Sequence, residues 1–135
     1  MRKLGLYHVR FNDNDMKAIT KMVYLDKLQL RMTQVTSRGL VHLSNLDQLK
    51  SLVLEGDVVS KDAMYMLGRI HSIEHLTIYA RRTDVLSNES VIAMARQLAN
   101  LKQLDFVLRT DRSGVTKLGI EQIRSDFPNL TVREY

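Results

Sequence analysis

The sequence predicts an α/β fold: a right-handed β/α repeat array of about five stacked strand–helix units and a final strand. A parallel sheet would line the concave face, with helices on the convex face. Three observations predict it. Leu-x-Leu pairs return at a fixed interval, beginning at Leu4, Leu28 and Leu52. After each pair the apolar spacing changes from the two-residue period of a strand to the i, i+3 recurrence of a helical face. A small polar residue, suited to accept an otherwise unpaired backbone N–H, stands where each helical half would begin.

The first unit opens on Leu4-Gly5-Leu6, with Asn12 as its candidate cap and Phe11, Met16, Ile19, Met22 and Leu25 as its apolar positions. The second repeats it 24 residues on, with strand Leu28-Gln29-Leu30, cap Thr36, and Val35, Leu40, Leu43, Leu46 and Leu49. Leu52-Val53-Leu54, cap Ser60, and Val59, Met64, Leu67, Ile70 and Ile73 make the third. A fourth begins at Leu76-Thr77-Ile78 with Ser87 or Asn88 as cap, and a fifth at Leu104-Asp105-Phe106 with Thr116. Leu130-Thr131-Val132 supplies the last strand, 26 residues after Leu104. One unit cannot bury its own leucines, so neighbours must stack.

The segments "LDKLQL", "LKSLVL", "IEHLTI", "LKQLDF" and "FPNLTV" stand for L-x-x-L-x-L, and the whole chain resembles the ribonuclease-inhibitor-like class of leucine-rich-repeat proteins. "TQVTSRGLVHLSNLDQLKSL" is similar to the T-x-V-T-x-x-G-L units of bacterial members and F-box-type adaptors, and "GVTKLGIEQIRSDFPNLTV" to a closing repeat. The family's usual turn asparagine is replaced by Val9, Thr33, Asp57 and Arg81, so departures are expected in the turns. The resemblance implies a non-catalytic adaptor or assembly factor, without a cofactor, that binds protein in the groove of its strand face.

Composition sets wider bounds. With 135 residues, 44% hydrophobic and 26% charged, and no Pro/Gly-rich linker, the chain reads as one folded domain, 1–135. No apolar run reaches membrane-span length, and the start lacks the apolar region of a signal peptide. The absence of cysteine excludes thiol catalysis and cysteine metal sites, and it favours the cytoplasm. A net charge of +5 favours an acidic partner, but no dense Lys/Arg block supports nucleic acid. "HSIEH" spells H-x-x-E-H, yet the repeat places His71 after a helix and His75 in a strand, where they cannot share a zinc ion. No nucleophile elbow or phosphate loop occurs, so an enzyme is not expected.

The candidate site is the strand face. Side chains alternate along a strand, so residues flanking each Leu-x-Leu pair point away from the core. Tyr7, Arg31, Glu55, Tyr79, Val107 and Arg133 form one expected row, and Gln29 lies in the next. Tyrosine and arginine are enriched among binding hot spots. A second candidate is a rim of extended turns, where Arg81, Arg82, Arg109 and Arg112 could grip a carboxylate or phosphate, or pair with Asp84 and Asp111. Finally, the first unit begins at once with Leu4 and Leu6. That predicts an apolar N-terminal end able to self-associate or to pack end to end within a longer array.

Overall fold

A computed structural model describes residues 2–80, 86–108 and 114–135. Among these, six strands form one all-parallel sheet in strictly sequential order: β1 (Lys3–Tyr7), β2 (Lys27–Thr33), β3 (Ser51–Gly56), β4 (His75–Ala80), β5 (Gln103–Leu108) and β6 (Thr131–Glu134). Between them run α1 (Met16–Ile19), α2 (Ser37–Leu40) with a 3-10 turn at Val41–Asn45, α3 (Lys61–Leu67), α4 (Asn88–Gln97) and α5 (Lys117–Asp126).

The leucine pairs set the register. Leu4 pairs with Leu28, Leu28 with Leu52, Leu52 with Leu76, and Leu76 with Leu104. The same sheet face and the helices share one core, which includes Met16, Leu40, Leu67, Val91 and Ile120. Leu28, Leu30, Leu52 and Leu54 are fully buried, each worth about 1.5–3 kcal/mol over an exposed side chain. Leu4 and Leu6 on the edge strand β1 are only half-buried, because the core continues on one side of them alone. Along β2, β3 and β4 these buried residues alternate with half-buried or exposed ones on the opposite face, where Glu55 is the buried exception. Parallel sheets are usually covered on both faces; here one is left to solvent.

The last strand corrects the expected register. Leu104 pairs with Val132 and Asp105 with Arg133, so the step from β5 to β6 is 28 residues, as it is from β4 to β5. Leu130 falls before the strand, half-buried, and Thr131 opposes Gln103. The amide of Tyr135 continues the ladder by donating to the Phe106 carbonyl.

The caps hold with one exception. Thr36, Ser60, Ser87 and Thr116 each accept a backbone N–H from the first turn of their helices, and Ser87, not Asn88, caps α4. Asn12 caps no helix: its side chain accepts from the N–H groups of Asn14 and Asp15 and folds the loop ahead of α1. His8, Met32 and Gly56, one residue past equivalent strand positions, all have positive φ (52°, 56° and 99°). In β2 and β3 the left-handed residue accompanies a register shift, after which Thr33 opposes Gly56; in β1 it stands just past the strand's end.

A side-chain lock recurs between units. The Thr36 N–H and hydroxyl donate to the two Asp13 carboxylate oxygens at 2.7 and 2.6 Å. The Thr116 N–H donates to Asn88 Oδ1, and the Asn88 amide donates to Thr116 Oγ1, both at 3.0 Å. In each case a glycine three residues after the threonine, Gly39 or Gly119, leaves the space; a Cβ there would collide with Asp13 Oδ1 or Asn88 Oδ1.

Candidate functional site

The face opposite the core presents three rows across the sheet. The first runs Lys3, Lys27, Ser51, His75, Gln103 and Thr131, and the second Gly5, Gln29, Val53, Thr77, Asp105 and Arg133. The third runs Tyr7, Arg31, Glu55, Tyr79 and Val107. Tyr7, Gln29, Arg31, Glu55 and Tyr79 thus lie where the repeat places them. Arg133 moves one row, a consequence of the β6 register.

Tyr7, Gln29, Arg31, Glu55 and Tyr79 form one connected cluster. Arg31 Nε donates to Glu55 Oε2 at 2.6 Å, and the Glu55 side chain is only 2% exposed. The Arg31 guanidinium lies 4.3 Å from the Tyr79 ring centroid and 5.6 Å from that of Tyr7. The hydrogen bond that Arg31 donates to Glu55 lifts the Arg31 pKa above its already high ordinary value, so this cation stays charged. Tyr7 donates its hydroxyl to Gln29 Oε1. Its ring leans back over Gly5, where a Cβ would stand 2.7 Å from the ring edge. Glycine at position 5 therefore lets an aromatic ring, 45% exposed, rest along the sheet.

Chemically the cluster is a rigid contact surface. Arginine held by a carboxylate between two aromatic rings has little rotamer freedom left to lose on binding. A second pair lies at the far edge, where Arg133 Nε donates to Asp105 Oδ1 at 3.1 Å and Gln103 donates to Asp105 Oδ2.

The other candidates fare differently. Arg81, Arg82, Arg109 and Arg112 lie outside the described residues. His71 sits in the turn after α3 and His75 opens β4, on separate elements. Glu74 between them pairs with Lys102 at 3.0 Å and with Lys50 at 3.8 Å. Chiefly the Lys102 hydrogen bond holds the Glu74 carboxyl below its usual range. Among the described residues no helix is long and apolar enough to cross a membrane.

Sequence reasoning missed the row one residue before the strands. Arg2, Asp26, Lys50, Glu74 and Lys102 alternate in sign, their backbones joined by ladder bonds and their side chains by ion pairs, including Arg2–Asp26 at 3.5 Å. The signal was present as alternating charge at the leucine interval. No protein-family model matches the chain, and no curated protein matches it.

Proposed function

We propose that this is a leucine-rich-repeat protein of the ribonuclease-inhibitor-like class, a short right-handed β/α solenoid that binds a protein partner through its open sheet face and catalyses no reaction. Support for the repeat class comes from the sequential parallel sheet, the constant register of its leucine pairs, and the single shared core. The observation that carries the function is the Tyr7–Arg31–Glu55–Tyr79 row, which crosses four strands on a face the fold leaves uncovered. Affinity capture from the native source should retrieve a protein with the wild type and lose it with a Tyr7→Ala/Tyr79→Ala variant. Recovery of the same protein by both would refute this assignment.

A second reading, a segment that packs end to end in a larger assembly, draws on the half-buried Leu4 and Leu6 of the edge strand. On that reading light scattering shows a mass that rises with concentration and is returned to one chain by Leu6→Lys.

A further inference from the structure

We propose that Lys3 and Lys27 form a carboxylate-binding site that recognises an extended acidic peptide, with an apolar or aromatic side chain of that peptide resting on Tyr7. This deepens the protein-binding reading of the same face and rests on it. Lys3 and Lys27 stand in direct cross-strand register on β1 and β2. Like charges placed opposite one another on a sheet are destabilising. The two acids in the three rows of this face are already held, Glu55 by Arg31 and Asp105 by Arg133. Among the described residues neither lysine has an ion pair or a side-chain hydrogen bond. One residue earlier the same strands do the opposite, with Arg2 against Asp26. The fold thus matches charges at one position and leaves two cations together at the next.

Two ammonium groups on adjacent strands, about 4.8 Å apart at the backbone, can close around one carboxylate, and a Glu-Glu pair in an extended peptide presents one whichever face it turns to the sheet. Along β1 the next outward position is Gly5, which adds no side chain, and the one after it is Tyr7 with its ring laid toward the gap. Lys3 and Tyr7 are four residues apart, about 13 Å in a strand. An extended peptide spans that distance with side chains four residues apart. A nucleic acid fits less well: a phosphate chain needs a track of cations, and any path along the third row meets the buried carboxylate of Glu55.

The test uses the full chain and fluorescein-labelled peptides in a Gly/Ser background. One set carries a Glu-Glu pair four residues from a Tyr, in either order; controls replace Glu-Glu by Gln-Gln, and a thymidine oligonucleotide serves as the polyanion. The Glu-Glu peptide should bind about tenfold more tightly than the Gln-Gln peptide. Lys3→Gln/Lys27→Gln should erase that preference with an unchanged melting curve, and Lys61→Gln on α3 should preserve it. Equal affinity for the two peptides, a preference that survives the lysine replacements, or no peptide binding overturns the proposal. Tyr7-dependent binding without a Glu preference overturns the lysine site alone and leaves the protein-binding reading standing. Oligonucleotide binding tighter than any peptide overturns both.

Discussion

The first three strands and the last three solve the same packing problem with different exits. β1, β2 and β3 are linked by 24-residue steps, and each has a left-handed residue at the equivalent position: His8 just past β1, Met32 inside β2 and Gly56 at the end of β3. From β4 onward the steps are 28 residues, and Ala80 pairs with Leu108 in unbroken register at the position where the β2–β3 pairing shifts. The longer steps leave the leucine register unchanged. The comparison teaches that the sheet is governed by buried pairs, whereas the rim is free to vary. The polar face differs as well: the N-terminal half holds the Arg31–Glu55 pair stacked among tyrosines, and the C-terminal half holds the more exposed Arg133–Asp105 pair.

The largest expected difference between the halves lies in those two ion pairs. Arg31→Met removes the cation from beside the nearly buried Glu55, and a loss of about 3 kcal/mol is expected, as for one partner of a buried pair. Arg133→Met, with Arg133 48% exposed, should cost under about 1 kcal/mol. Urea denaturation of both variants checks this, and equal losses would mean that the two ion pairs are equally solvated.

The glycine locks come next. At Gly39 a new Cβ meets not only Asp13 but also Val35 Cγ1 at 2.9 Å and Met16 Cγ at 3.0 Å, both in the core. Gly39→Ala should therefore cost about 1–3 kcal/mol, the range for overpacking. At Gly119 the nearest obstacle is the Asn88 side chain, which can swing outward. Gly119→Ala gains up to about 1 kcal/mol of helix propensity against the lost Asn88–Thr116 bonds, and should change the melting temperature little.

How much of this was legible in the sequence follows from what each feature depends on. The register of β1 through β5 was readable because every unit repeats two leucine-like residues in the same places. β6 was misplaced because "NLTV" offers two apolar residues of which only Val132 enters the ladder. The 28-residue step already seen from Leu76 to Leu104, and the opposite charges of Asp105 and Arg133, point to the right alignment. The outward rows followed from strand alternation. That Arg31 would reach past its neighbour to stack on Tyr79, or that Tyr7 would lie over Gly5, depends on rotamers and space that no spacing encodes.

A smaller effect tests the left-handed exits of the first half. A β-branched residue tolerates positive φ poorly, so His8→Val should destabilise by about 1–2 kcal/mol, and His8→Asn should be near neutral. The same Val substitution at Ala80, which has no positive φ, should carry no such backbone penalty, although Ala80 is buried and the added methyl groups must fit. The smallest effect concerns pH. Glu74 has a lowered pKa in the folded chain, so its contribution is present above the ordinary carboxylate range and fades as pH falls through the lowered value. Glu74→Gln should flatten the acid side of a stability–pH curve slightly and leave the neutral region almost unchanged.

The proposed function places partner binding on the open sheet face. Its most direct test is an alanine scan of affinity for a captured partner, comparing Tyr7 and Tyr79 with Lys17, Lys61 and Arg96 from the helical segments. Losses of about 2 kcal/mol or more are expected at the tyrosines and little at the three basic residues; equal losses in the two groups would contradict binding through the sheet face.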